Sequence, residues 1–237
     1  MTGRVMWTGV RAVCFDMGGT LVRPEPVATT GQVAEVLGIS LEEARALMGR
    51  GAKRRLVTPQ DLAHELADGF GRPGLTGPLT EVLERARCRA EDPQLYPDVP
   101  DTLAVLRRRG FALYAMTNAL GSSVPEQEPE VFQKLLDTVF YSARTGAIKP
   151  EPEAFAAVQR ASGLRPRELL HVGDTLNADV HGAAAVGWNT ALVDRHHTTE
   201  PLTPVMSAPR LHSLVSLPPL LPLKAATTGT IASEVAG

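Results

Sequence analysis

The tightest constraint on this chain is the nonapeptide Val13-Cys14-Phe15-Asp16-Met17-Gly18-Gly19-Thr20-Leu21. The apolar run that enters it, Val10 with Ala12, Val13, Cys14 and Phe15, is too brief for a helix and suits a strand buried on both faces of a parallel sheet. Asp16 then stands at the C-terminal end of that strand, the edge at which open α/β sheets bind ligands. Gly18 and Gly19 permit a sharp turn and a close approach of backbone to ligand, and Thr20 adds a hydroxyl. An ordinary strand exit with an Asp in the turn has the same residues, so the rest of the chain has to decide.

Beyond position 98 the pattern alternates. Short apolar runs at 111–118 (FALYAMTN), 137–143 (DTVFYSA), 168–174 (ELLHVGD) and 189–194 (NTALVD) predict strands. Amphipathic segments at 100–110, 129–137, 152–163 and 177–187 predict helices between them, which implies a parallel sheet. Residues 27–92 carry no strand pattern. Apolar residues at three- and four-residue spacing predict helices over 27–38, 40–49, 58–71 and 75–90. Ser40 with Glu43 fits a capping box, Thr58 with Pro59 fits a helix start, and Gly38, Gly49 and Gly69 fall near helix ends. This block reads as a helical insertion after the first strand.

Three more polar clusters fall where such a sheet places a ligand: Thr117-Asn118, Lys149 in the loop 146–150, and Gly173-Asp174-Thr175. Composition excludes several other classes. A formal net charge of -2 gives no basic field for nucleic acid or an anionic membrane. No stretch approaches the ~18 uninterrupted apolar residues of a membrane span, and the N-terminus has no long apolar signal region. Cys14 and Cys88, far apart in the chain, suggest no disulfide framework, so the cytoplasm is the expected compartment. Nothing in the sequence separates a monomer from a homodimer.

Taken together, Asp16-Met17-Gly18-Gly19-Thr20-Leu21, Met116-Thr117-Asn118, Lys149-Pro150-Glu151-Pro152 with Phe155, and His171-Val172-Gly173-Asp174 with Asp179 and Gly182-Ala183 resemble the motifs of the haloacid dehalogenase superfamily. Tyr96-Pro97 with Leu103, Leu106 and Gly110 is similar to a helix entry common in it. The match runs over 10–194, in order and with the right spacing. The resemblance implies an α/β fold with a Rossmann-like parallel-sheet core (1–22 and 98–224) and an inserted α-helical cap (23–97), as in the phosphoglycolate phosphatase-like branch. The proline-flanked stretches 21–26 and 92–97 read as hinge strands that let the cap close and exclude water. After Asp194 a short strand and a Leu-rich helix-like turn at 211–223 are expected, with a disordered tail over 225–237.

Carried over residue by residue, the resemblance implies a phosphatase acting on a small phosphorylated metabolite. Asp16 would be the nucleophile that forms an aspartyl phosphate. Thr117 would hold phosphate oxygens, with Asn118, Gly19 and Arg23 also facing substrate. Lys149 would balance the charge of nucleophile and phosphoryl group. Asp16, the Gly18 carbonyl and Asp174 would hold Mg²⁺, and Asp179 would orient Lys149 or water on the metal.

The departure is Gly18. Family phosphatases usually have a second Asp there, which protonates the leaving oxygen and later deprotonates water. Such acid–base catalysis is worth roughly 10² to 10⁴ in rate. Without it, a phosphatase would do best on good leaving groups such as acyl phosphates or activated esters, or would need an acid from the cap or the substrate. The main alternative is a non-catalytic descendant that binds a phosphorylated ligand or partner. Phosphonate-cleaving relatives lack that Asp and use a cap lysine. Here that lysine would be Lys53, but it is one residue out of register with their motif. Dehalogenating relatives lack an acid at the position of Asp174. His171 reads as a core or supporting residue, and His196-His197 as a solvated loop.

Overall fold

The computed structural model describes residues 6–196 and 208–222. The first apolar run forms β1 (Ala12–Phe15), buried at every position. It is followed in the sheet-forming part of the chain by β2 (Ala112–Thr117), β3 (Thr138–Tyr141), β4 (Leu169–Gly173), β5 (Asn189–Val193) and the short β6 (Arg210–Leu211). These make a six-stranded sheet in the order β3-β2-β1-β4-β5-β6, with every pairing parallel. β1 is central. The Asp16 amide continues the ladder by donating to the Val172 carbonyl at 2.8 Å, which fixes the carboxylate at the sheet's C-terminal edge.

The insertion is helical: α1 (Thr29–Leu37), α2 (Leu41–Leu47), α3 (Pro59–Gly69) and α4 (Thr76–Glu91). The Ser40 hydroxyl accepts from the Glu43 amide at 3.1 Å while the Glu43 carboxylate accepts from the Ser40 amide at 2.9 Å. Thr58 caps α3 with Pro59 in its first turn. Gly38 closes α1 at φ 64°, a left-handed cap that glycine adopts without penalty. Gly49 does not end a helix, because α2 gives way at Met48 to a wide helical turn over Met48–Ala52. The apolar faces of these helices form a core of their own around Val33, Leu37, Met48, Leu62, Leu79 and Leu83.

Flanking helices cover both faces of the sheet: α5 (Val99–Arg108), α6 (Glu130–Leu135), α7 (Ser142–Thr145), α8 (Pro152–Ser162) and α9 (Gly182–Ala185). Val13 and Phe15 pack with Leu103, Leu106 and Phe132 on one side. Ala12 and Cys14 pack with Phe155, Val158 and Trp188 on the other. Burial on both faces accounts for the unbroken apolar run of β1.

Two predicted elements differ. The strand read over 137–143 ends at Tyr141, where α7 begins and closes on Gly146 at φ 77°. The helix read over 177–187 is a wide turn at Leu176–His181 followed by the one-turn α9. In that turn the Thr175 amide donates to Asp179 Oδ2 at 2.9 Å. The widened, underwound backbone carries Asp179 inward, where it is buried. The hinge segments, expected as strands, pair through one bridge, Val22 opposite Leu95. Arg195 braces them, its guanidinium 3.7 Å from the Tyr96 ring centroid and donating to the Thr20 carbonyl at 2.7 Å. Beyond β6, helical turns at Leu214–Ser216 and Pro218–Leu220 match the Leu-rich segment. His197 and the tail 225–237 lie outside the described residues. No helix among the described residues is long and apolar enough to cross a membrane.

Among the described residues, the helical insertion, the expected cap, meets the sheet-bearing core at several places. Leu120, in the loop after β2, inserts into the cap's apolar core. Gly121 lies so close to the Arg55 carbonyl that any side chain there would overlap it. Arg54 forms a two-pronged ion pair with Glu151, one prong at 2.8 Å, and also donates to the Gly146 carbonyl at 3.3 Å. The cap thus grips the loop that carries Lys149.

Candidate active site

Lys149 is the organising charge. Its Nζ lies 2.6 Å from Asp16 Oδ1, 2.6 Å from Asp179 Oδ1 and 3.2 Å from the Met116 carbonyl. Only 4% of the residue is exposed. Its backbone is held by Asn118, whose Nδ2 donates to the Lys149 carbonyl and whose Oδ1 accepts from the Lys149 amide, both at 2.8 Å. Asn118, read from sequence as a substrate contact, therefore commits its side chain to fixing the lysine loop.

Asp179 is held from three directions. Besides Lys149, its Oδ1 meets His171 Nε2 at 3.0 Å, and its Oδ2 accepts from the Thr175 amide. His171 is itself locked edge-on to Phe155, with ring centroids 5.7 Å apart. Gly173 is required here, since a Cβ would overlap the Asp179 carboxyl. Asp174 stands at the open edge, its Oδ1 accepting from the Thr175 hydroxyl at 3.2 Å. Thr20, in contrast, is fully buried and its hydroxyl faces away from solvent.

The charges do not balance. Burial pushes the Asp16 carboxyl above the ordinary carboxylate range; Lys149 pulls it back, but Asp179 and Asp174 add to the rise. Partial desolvation and the Asp179 charge likewise raise Asp174. Burial also disfavours ionised Asp179, yet Lys149 and the His171 bond outweigh it and hold that carboxyl low. For Lys149 itself, the two carboxylates overcome desolvation and keep it charged. One cation among three carboxylates leaves negative charge uncompensated at Asp16 and Asp174. Carboxylate oxygens of Asp16, Asp174 and Asp179 lie within 4.8 Å of one another, and hard oxygen donors of this kind suit Mg²⁺. The residues fit the ion the resemblance implies.

Gly19 takes φ 79°, and a Cβ on it would overlap Asp174 Oδ2. Gly19→Ala thus combines a strained backbone, costing about 1–3 kcal/mol, with displacement of a carboxylate. If Asp174 holds the Mg²⁺ that the resemblance implies, the expected result is a folded protein whose Mg²⁺ requirement rises at least about tenfold in a titration of activity; an unchanged requirement would separate Asp174 from the metal.

Gly18 differs from Gly19. A Cβ on it meets nothing within 4 Å, because it faces a cavity of about 790 Å³ between cap and core. Thr117, at the end of β2 opposite Tyr141, lines the same cavity. Arg23 stands at the wall too, exposed, 5.9 Å from the Tyr96 ring centroid. Lys53 is half-buried in the cap, its ammonium pushed down by burial and by Arg45, and it does not line this cavity. Sequence reasoning missed the part of the wall supplied by α4, at Ala86, Cys88, Arg89 and Ala90. The available signal was the pair of small residues, Ala86 and Ala90, one helical turn apart, which continue the stripe of Leu79, Val82 and Leu83 with side chains too short to fill the space.

A family model described as haloacid dehalogenase-like hydrolase matches residues 10–187. The glyceraldehyde 3-phosphate phosphatase of Methanopyrus kandleri is 36% identical over 206 residues, covering 78% of this chain and 84% of its own length. A phosphoglycolate phosphatase of Aliivibrio fischeri is 27% identical over 214 residues, covering 84% of this chain and 90% of its own. The crystal structure of a 2-haloacid dehalogenase from Pseudomonas syringae shares the fold, with a TM-score of 0.64 over 89% of this chain and 97% of that one at 20% identity.

Proposed function

Because the chain belongs to the haloacid dehalogenase-like hydrolases, we propose that it is a Mg²⁺-dependent phosphatase of a small phosphorylated metabolite, working through an aspartyl phosphate on Asp16. The observation that carries this reading is the Lys149 bridge between Asp16 and Asp179, with Asp174 beside them, next in the chain to Met17 and Gly18 on the cavity wall. The curated relatives named above are phosphatases of small phosphate esters.

Lys149 engages Asp16 Oδ1 and aims the carboxylate at the sheet edge. Attack by Asp16 on phosphorus forms an aspartyl–phosphate bond as the ester oxygen leaves with its electron pair. Water then cleaves the acyl phosphate and regenerates the carboxylate. The Thr117 hydroxyl would meet phosphate oxygens, and the Lys149 ammonium would offset their charge. Asp16, Asp174 and the Gly18 carbonyl would hold Mg²⁺, which supplies positive charge against the phosphoryl oxygens. Closure of the cap over the core would shut bulk water out.

What the chain lacks is a proton donor at position 18. Since that position is open, Gly18→Asp should be accommodated and should speed hydrolysis of poor-leaving-group esters by roughly 10²-fold, the low end of what a placed acid contributes. The test is phosphate release from a panel of acyl, aryl, sugar and nucleoside phosphates, with Mg²⁺ and with chelator. Release that needs Mg²⁺ supports the reading; release indifferent to Mg²⁺, or none from either protein, overturns it. Gly18 also favours a second reading, a binder that holds a phosphorylated ligand without turnover. Retained binding of a phosphate analogue with no labelling of Asp16 would select it.

A further inference from the structure

We propose that the preferred substrate is an aryl phosphate, a phosphorylated phenol with a bulky apolar body, which the enzyme takes into the cavity beside Gly18. This inference rests on the phosphatase reading and narrows it through two independent observations.

The first is the missing acid. With no side chain at position 18, the departing ester oxygen receives no proton from that position, which favours an oxygen that can leave as an anion. An alkoxide does this poorly, whereas a phenolate or a carboxylate does it well. The second is the space. The cavity holds about 790 Å³, the size that accommodates a drug-sized ligand, and a two- or three-carbon leaving group would leave most of it filled with water. Its wall is mostly carbon, built from Met17, Val22, Ala86, Ala90, Pro93 and Phe132. The polar groups on it are largely taken. Arg89 pairs with Glu25 at 3.3 Å, and the Tyr141 hydroxyl donates to Glu128 at 2.7 Å. Arg23 makes no side-chain hydrogen bond or ion pair among the described residues and lies at the same wall, where a guanidinium can face an aromatic ring or an aryl oxygen.

Good leaving group and large apolar body intersect at a phosphorylated phenol. In the step, the bond between phosphorus and the aryl oxygen breaks with its electron pair going to that oxygen, as the bond to Asp16 forms. The phenolate departs and takes its proton from solvent; water hydrolyses the acyl phosphate to inorganic phosphate and free Asp16.

The test compares phenyl, 2-naphthyl and 2-cyclohexylethyl phosphate with the full-length protein and Mg²⁺. The naphthyl ester is expected to exceed the phenyl ester about tenfold in kcat/KM, as extra apolar contact in a pocket commonly gives. The alkyl ester should fall roughly 10²-fold or more below both, and Gly18→Asp should narrow that gap. Ala90→Phe, which intrudes on the wall, should erase the naphthyl preference. Equal rates for alkyl and aryl esters, or for phenyl and naphthyl, overturn the proposal. Cys88 gives a readout that needs no turnover. It is exposed on the cavity wall while Cys14 is buried, so alkylation reports on this wall alone. Saturating 2-naphthylphosphonate should slow Cys88 alkylation about tenfold. Protection without phosphate release from any ester would leave the cavity assignment standing and the phosphatase reading fallen; release without protection would overturn the cavity assignment.

Discussion

Asp16→Asn is expected to lower Mg²⁺-dependent phosphate release by roughly 10⁴-fold or more while leaving the fold intact. The amide keeps the shape of the carboxylate but is not a nucleophile, and loss of an enzyme's nucleophile commonly costs that much or more. The fold should tolerate the change for an electrostatic reason. Asp16 is held above the ordinary carboxylate range by burial and by Asp179 and Asp174, despite Lys149. An acid whose folded pKa is raised disfavours folding at any pH where it is ionised, so removing its charge relieves repulsion. Lys149 keeps Asp179 and the Met116 carbonyl. Turnover and thermal unfolding measured on the same preparation check both halves. An undiminished rate would take Asp16 out of the nucleophile's role, and a collapsed melting transition would mean that its charge is structural.

Lys149→Met should damage stability and turnover together. Removing one partner from a buried, bonded ion pair typically costs about 3–5 kcal/mol, because the remaining charge is left in the interior. Here two carboxylates, Asp16 and Asp179, lose their shared cation. The sign of the pH dependence follows. In the native protein Asp179 is depressed and contributes stability that is lost only as pH falls through its folded pKa. Without Lys149, burial raises both acids, so the variant is least stable when they are ionised and recovers as acidification protonates them. Urea unfolding in chelator at pH 8 and pH 5 should show the larger deficit at pH 8. Equal deficits would place the damage in packing and not in charge.

Much of this architecture is written locally. The apolar run before Asp16, the alternation after position 98 and the caps at Ser40 and Thr58 are short-range signals, and the structure follows them. Asp16, Thr117-Asn118 and Asp174 lie at one edge because parallel strands all present the same end there, and Lys149 is brought to it by the loop beyond α7, which Asn118 holds. Where the reading slipped, a distant partner had prevailed over local propensity. The segment 177–187 has a helical pattern, yet Asp179 must reach Lys149 and His171, and the backbone widens to deliver it. Asn118 reads as a substrate contact beside Thr117, but the lysine loop lies within reach of both its amide atoms.

The sequence alone therefore determined the parallel-sheet class, the helical insertion, the positions of Asp16, Thr117 and Asp174 at strand ends and of Lys149 in a following loop, and the lack of an acid at Gly18. These depend on residue type and on periods of two to four residues. Only the tertiary structure decided which carboxylates share Lys149, what Asn118 holds, how Arg54 of the cap grips Glu151, and that Ala86 and Ala90 open an apolar cavity beside Gly18. Those contacts join residues as far as 133 positions apart. Their geometry follows from how whole elements pack, which no local pattern records.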